Sequence, residues 1–469
     1  MRYHSTRGQA PLLDFREATL TGLATDGGLY LPTAWPRFLP NEFEQLATAS
    51  YAETAVTVLR PFVGDTLTED ELRALVDGAY AHFGHAAVTP LVQLDDRNWL
   101  LELFHGPTLA FKDVALQLLG GLFSHFLGEE VGNAGKGGKR LTIVGATSGD
   151  TGSAAIEAVA GRPGISIFML HPLGRVTDVQ RRQMTTVNAP NVHNIAIEGS
   201  FDDCQALVKA LFNDRRFRRE QHLSAVNSIN WARVLAQIVY YVHAGARLGA
   251  PHRLVSFSVP TGNFGDIFAG YCAARLGLPI GRLLVATNVN DILARAFNNG
   301  DYSLGTLAAT ATPSMDIQIS SNFERLLFDL HDRDGAALAA TMKEFETSGR
   351  IQLTDYMRST ASRLFLAQRV DETEMMQALA YAHSECGQLI DPHTGVGLAA
   401  ARMRADELPG PIVTLATAHP AKFPEAVERA TGVRPSLPRR VGHLFDREER
   451  FQRLPADAAT LKAHIRKSA

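Results

Sequence analysis

Lysine is scarce in this chain of 469 residues: eight of its 46 basic residues are lysine, and arginine supplies the rest. Cysteine is scarcer still. Cys204, Cys272 and Cys386 are widely separated, odd in number and form no CxxC pair, which argues against a disulfide framework and fits a reducing cytosol. No apolar run is long enough to span a bilayer, and the opening MRYHSTRGQAPLLDF has no apolar signal core, so a soluble, cytoplasmic protein with no membrane partner is expected. Excess positive charge is also missing. The formal net charge is −3, and Lys136, Lys139 and Arg140 make only a short basic cluster in a glycine-rich segment, so no nucleic-acid partner is expected. His105, His171, His393 and His419 fall in turn-like contexts without metal-ligand spacing, so no metal site is expected. A GxSxG elbow, a Walker lysine and the dinucleotide glycine pattern are absent as well, which argues against a serine hydrolase and against ATP or NAD binding.

What is present points to a compact α/β enzyme. A hydrophobic fraction of 45% and 39 glycines fit that class, and the length predicts two or three domains. Residues 1–95 read as a mainly helical N-terminal domain, with Thr68 and Glu71 spaced as a capping box before ELRALVDGAY. Beyond it the pattern repeats strand, turn and helix: LTIVGA then SAAIEAVA, ISIFML, NVHNIAIEG then SFDDCQALVKALF, and RLVSFSVP then DIFAGYCAARLG. Such βα units predict parallel sheets covered by helices, with ligands bound beyond the carboxyl ends of the strands. Asn299–Thr312 reads as a flexible loop, SNFERLLFDL as a helix whose surrounding insertions shape the entrance to the site, and the Arg- and Pro-rich stretch after Pro435 carries no interpretable motif.

Among the few lysines, Lys112 stands between an aromatic residue and the start of an apolar helix, in FHGPTLAFKDVALQ. A helix start disfavours an added positive charge, and a neutral amine can form a Schiff base with an aldehyde, which arginine cannot do. A lysine that merely snorkels to the surface would read the same way from this segment alone.

Three loops add chemistry. Ala146–Gly152, ATSGDTG, puts hydroxyls and backbone donors at a helix start, where a carboxylate or phosphate can sit; an ordinary capped turn is the alternative. Pro260–Asp266, PTGNFGD, lets the backbone curl around an anion, and a small phosphate group on a cofactor fits it better than a nucleotide does. In TAHPAK, Thr417 can hydrogen-bond a ring nitrogen or simply cap a helix. A lysine, an anion loop and a phosphate loop together suit pyridoxal phosphate, with the cofactor as electron sink.

With YHSTRG, DGGLYLP, GPTLAFKD, GATSGDTGSAA, PTGNFGDIFAGY, DPHTGVG and TAHPAKF in this order from Tyr3 to Lys422, the chain closely resembles the threonine synthases of the longer bacterial and fungal form. These are fold-type-II pyridoxal-phosphate enzymes, similar in architecture to the tryptophan synthase β chain. The resemblance implies a large cofactor-binding α/β domain from 96–130 and 235–469, and a smaller α/β domain from 131–234 carrying the substrate carboxylate loop. It implies that Lys112 holds the cofactor aldehyde, with Phe111 packed beside it. Thr261, Gly262, Asn263, Phe264 and Gly265 would bind its phosphate, and Thr417 would face its ring nitrogen. Thr147, Ser148, Asp150 and Thr151 would surround the α-carboxylate of the substrate, Asp150 acting through neighbours or backbone because its own charge repels that group.

The implied reaction turns O-phospho-L-homoserine and water into L-threonine and phosphate. For the substrate phosphate, Arg7, Lys422 and the segment around Ser320, Asn322, Phe323 and Glu324 are candidates. The resemblance implies a monomer, with a homodimer as the alternative. Two other readings stand beside it: another lyase of the same cofactor class, such as a threonine or serine dehydratase, and a noncatalytic ligand-binding relative.

Overall fold

The computed structural model describes residues 1–134, 140–224 and 226–468. Lys136 and Lys139 of the basic cluster lie outside them. Two mostly parallel sheets carry the architecture. In the six-stranded sheet the order is Phe365–Arg369, Ile280–Thr287, Val255–Pro260, Ile412–Ala416, Asn98–Glu102 and Leu91–Gln93, the last pairing antiparallel. In the five-stranded sheet it is Gln452–Pro455, Val192–Glu198, Ile165–Pro172, Leu141–Ala146 and Leu223–Ser224, all parallel. Val255–Pro260 and Ile412–Ala416 are buried along their whole length, as expected where helices cover both faces of a parallel sheet, and their only polar side chains are the small Ser256, Ser258 and Thr414.

The N-terminal region is helical over Phe15–Thr21, Pro40–Leu46, Tyr51–Val63 and Glu69–Tyr80, and the Thr68 capping box is present with both of its hydrogen bonds. It also contains an antiparallel pair, Tyr3–Ser5 with Tyr30–Pro32, that helical periodicity did not foresee. Leu91–Gln93 lies on the N-terminal side of the expected boundary at 95 yet is the edge of the six-stranded sheet. At the other end, Gln452–Pro455 pairs with Val192–Glu198, and the helix Ala458–Ser468 packs its Leu461 and Ile465 into the same core as Ile195 and Leu211. Residues 452–468 therefore sit with the sheet of 131–234 rather than with the sheet to which the 235–469 division assigned them.

Lys112 opens the helix Lys112–Ala134, in which Val114, Leu116, Leu118, Leu119, Leu122, Phe123 and Phe126 are all buried. Each large apolar side chain there contributes about 1.5–3 kcal/mol by leaving water, so the lysine stands on a rigid platform. Close helix packing also demands Gly120, where a Cβ atom would lie 2.2 Å from the carbonyl oxygen of Ala158. The stretch expected to be flexible, Asn299–Thr312, is pinned at its end: Asn288 Nδ2 lies within hydrogen-bond distance of Thr310, Thr312 and Asp316, and Asn290 Nδ2 donates to Ala308 and Asp316. SNFERLLFDL is helical over Phe323–Leu330. Among the described residues no helix is long and apolar enough to cross a membrane, and no group of three or more His, Cys, Asp or Glu side chains is placed to hold a metal. The three cysteines are free thiols, with Cys204 and Cys272 buried.

Candidate active site

Four loops leave the carboxyl ends of strands and meet. The segment after Asn98–Glu102 carries Lys112, the one after Leu141–Ala146 carries Thr147–Thr151, the one after Val255–Pro260 carries Thr261–Gly265, and the one after Ile412–Ala416 carries Thr417. They enclose a cavity of about 730 Å³, and every one of the twelve expected residues lines it: Phe111, Lys112, Thr147, Ser148, Asp150, Thr151, Thr261, Gly262, Asn263, Phe264, Gly265 and Thr417.

The first and last loops are tied directly together. Phe111 N donates to Thr417 O at 2.8 Å, His419 N to Leu109 O at 3.0 Å, and Ala110 forms an antiparallel bridge with Ala418. Leu109 holds a left-handed backbone, φ 63°, a conformation that costs a branched residue energy and is retained where the surroundings enforce it. This fixes Lys112 beside Thr417.

Lys112 Nζ lies 4.6 Å from the Phe111 ring centroid and 3.4 Å from Asp150 Oδ2. Burial lowers its proton affinity, and the positive charges of Lys422 and Arg233 lower it further against the pull of Asp150. Asp150 is the hub of this wall: its Oδ1 accepts from Lys422 Nζ at 2.8 Å and from Gln180 Nε2 at 2.8 Å. Burial alone would raise its carboxyl, but Lys422, Lys112 and Gln180 outweigh it and hold Asp150 well below the usual carboxylate range. Lys422 is fully buried and also donates to Thr108 O at 2.8 Å. Of the expected phosphate-binding candidates, Lys422 is thus committed to Asp150, and Arg7 is committed to Glu324, with bonds of 3.2 and 3.1 Å. Neither lines the cavity, and neither do Ser320, Asn322, Phe323 or Glu324.

The backbone offers free donors. N–H groups of Gly262, Asn263, Phe264 and Gly265 donate to no other described residue, and they precede or open the helix Gly265–Leu276. Gly262 is indispensable to that curl, because a Cβ there would stand 2.8 Å from the Ser314 carbonyl oxygen. Thr261 spends both donors internally, its N–H on Ala286 O and its hydroxyl on Val259 O. In the neighbouring loop Thr147 Oγ1 accepts from Gly149 N and Gly152 N, which leaves its own proton free to point at a ligand. Thr417 keeps its hydroxyl without a partner among the described residues, while its N–H donates to Thr394 Oγ1 at 3.3 Å.

Sequence reasoning missed Arg233. It sits in the first turn of the helix Trp231–Arg247, is 3% exposed, and lines the cavity with Nη1 bonded to Val226 O and with Nε lacking a partner among the described residues. Burial lowers its proton affinity to about 10. An arginine among the mostly apolar residues that open this helix was the available signal. His393 was noted only as a turn histidine. Its Nδ1 lies 2.7 Å from the fully buried Asp391 Oδ2, and its Nε2 accepts from Ser314 N at 3.3 Å, so the DPHT segment braces Ser314, whose carbonyl packs against Gly262.

Residues 2–80 match the family pattern described as threonine synthase N terminus, 83–363 that of pyridoxal-phosphate dependent enzymes, and 394–465 that of the threonine synthase C-terminal region. The chain is 52% identical to threonine synthase of Pseudomonas aeruginosa, across 99% of this chain and 98% of that one. The chain belongs to the threonine synthase family. The crystal structure of PLP-bound threonine synthase from Brucella melitensis superposes with a TM-score of 0.96 at 50% identity, covering 100% of this chain and 99% of that one. The yeast threonine synthase structure gives 0.94 at 39%, covering 100% and 98%. The fold is therefore that of the fold-type-II pyridoxal-phosphate enzymes, as the βα rhythm and the motifs lead one to expect.

Proposed function

We propose that this chain converts O-phospho-L-homoserine and water into L-threonine and phosphate, with pyridoxal phosphate as its cofactor. The observation that carries the reading is the convergence of a buried amine of lowered proton affinity, two separate sets of unspent anion donors and an unpaired cation around one cavity, in a chain of this family. The residues fit the cofactor. Lys112 Nζ is available to its aldehyde, the free N–H groups from Gly262 to Gly265 to its phosphate at a helix start, and the Thr417 hydroxyl to its ring nitrogen. Phe111 packs beside it. Bound there, pyridoxal phosphate supplies an electron-accepting ring that stabilises negative charge developed at the substrate's carbon atoms.

The chain's own groups do the rest. Lys112 Nζ takes up and returns protons at the α and β carbons, and its depressed proton affinity keeps the neutral amine accessible. Ser148 and Thr151 N–H groups, together with the free Thr147 proton, hold the substrate carboxylate at the start of the helix Asp150–Val159. Asp150 orients Lys112 rather than contacting that carboxylate, because its two oxygens face Lys422, Gln180 and Lys112. Arg233 holds the phosphate that leaves. Unpaired cysteines support placement in a reducing compartment such as the cytoplasm.

The deciding assay incubates the holoprotein with O-phospho-L-homoserine and follows threonine and phosphate together. Equal yields of both are expected; release of a keto acid instead would favour a dehydratase. Arg233→Gln should lower kcat/KM for the phosphorylated substrate by about 10²-fold, since a charge-assisted contact is lost and a buried anion is left unmatched. Unchanged inhibition by inorganic phosphate in that variant would remove Arg233 from the assignment. Thr417→Val should still load the cofactor on Lys112, read by visible absorbance, yet lose about tenfold or more in kcat, as one hydrogen bond to the ring is worth about 1–2 kcal/mol.

A further inference from the structure

A second cavity, of about 610 Å³, shares no wall residue with the first among the described residues. It reaches the reaction cavity through Thr108, whose carbonyl accepts from Gln183 Nε2 at 2.9 Å on this side and from the buried Lys422 Nζ at 2.8 Å. Thr108, Gln117, Gln183 and Leu444 are buried and form its inner wall, whereas His82, Glu157, His443 and Arg447 are exposed at the rim.

Two features of this cavity call for a ligand. The first is charge: Arg162, Arg440 and Arg447 line it, opposed by Glu157 alone. Arg162 Nε donates to Ala158 O, Arg440 Nη1 to the His105 and Gly106 carbonyls, and Arg447 Nη2 contacts His443 Nε2. None of the three guanidinium groups is in an ion pair with a described residue, although each can form a bidentate fork with an oxyanion. The second is unmet hydrogen bonding. Gln117 Nε2 and Gln183 Oε1 have no partner among the described residues, and their residues are only 9% and 7% exposed. Buried polar atoms are normally satisfied, so a lone donor and a lone acceptor at the inner end of an arginine-lined cavity mark places for ligand atoms.

We propose that this cavity binds a small organic anion, with a carboxylate or phosphate toward the arginines and a hydroxyl or amide at its inner end. A hydroxyl or amide both accepts from Gln117 and donates to Gln183. The volume exceeds that of a bare inorganic ion, and Lys112 is not on its wall, so the occupant is an effector rather than a substrate. Three of the wall residues, Arg440, His443 and Arg447, come from the segment after Pro435, which gives that arginine-rich stretch a role. Through Thr108 and Lys422 the occupant is coupled to Asp150.

The test is calorimetric titration of the full-length holoenzyme with glycerol 3-phosphate and, separately, with glycerate, which share the hydroxyl end and differ in the head group. Saturable binding of at least one probe is expected. Gln117→Leu and Arg447→Gln should each weaken it about tenfold or more, the equivalent of one charge-assisted or buried hydrogen bond, without changing kcat in the absence of probe. Arg233→Gln should leave it intact. Binding that disappears with Arg233→Gln but ignores the other two substitutions places the probe in the reaction cavity and overturns the proposal, as does the absence of saturable binding by both probes. Should Gln117→Leu fail to fold, Arg447→Gln, exposed at the rim, carries the same test.

Discussion

Lys112→Ala is expected to abolish threonine formation, with kcat down by at least about 10³-fold, while the protein stays folded. The reason for the second half is electrostatic. Lys112 is a buried cation of lowered proton affinity, so its loss removes a desolvated charge rather than a stabilising one. Asp150 keeps its 2.8 Å contacts with Lys422 and Gln180. Circular dichroism and the urea midpoint should match the parent, and the absorbance of lysine-bound cofactor should vanish. Turnover within tenfold of the parent would remove Lys112 from the centre of the mechanism.

Lys422→Met is expected to act in the opposite way, first on stability. It leaves Asp150 buried beside a weaker partner at 3.4 Å and strips the Thr108 carbonyl of a donor. Breaking a buried pair from one side costs about 3–5 kcal/mol, readable as a lower urea midpoint. The pH dependence gives the sign. Asp150 is depressed in the folded state, so its stabilising contribution is complete above its ordinary value near 3.8 and is lost as acid carries the pH down through the folded value. Without Lys422 the folded value rises toward the ordinary one, so the stability gap between parent and variant should narrow below about pH 3.8. Loss of the nearby positive charge should also raise the proton affinity of Lys112 and move the acidic limb of the pH–rate profile upward. A variant with the parent's stability and profile would show that Asp150 does not depend on Lys422.

Much of this site was legible in the sequence because its parts are local. Strand, small-residue turn and helix follow one another within about a dozen residues, so PTGNFGD and ATSGDTG announce their shape and their donors together. What was not legible is pairwise and distant. Nothing in the vicinity of Lys422 says that it is fully buried against Asp150, more than 250 residues earlier, and as a basic residue in the HPAKF loop it read as a candidate for the substrate phosphate. Arg7 misled in the same way, since its partner Glu324 lies 317 positions away. Arg233 escaped because helical periodicity records which residues face the core without recording which polar atoms remain unpaired there. The C-terminal strand Gln452–Pro455 escaped because its residues are mostly exposed and lack the apolar run that marked the others.

The bridge between Ala110 and Ala418, with the Phe111 to Thr417 hydrogen bond beside it, has a consequence for how the protein is made. Ile412–Ala416 lies between Val255–Pro260 and Asn98–Glu102 in the sheet, so two strands made earlier wait for the last-made strand of the sheet to fill the gap between them. At ribosomal rates of about 5–20 residues per second, roughly 300 intervening residues leave the open edge of Asn98–Glu102 waiting about 15–60 s, and roughly 150 leave that of Val255–Pro260 waiting about 8–30 s. Throughout that interval the nascent chain carries its reactive lysine but no finished pocket around it. Capture of the cofactor is therefore a post-synthetic event, and cells short of chaperones should lose this enzyme as aggregate before they lose it as inactive apoprotein.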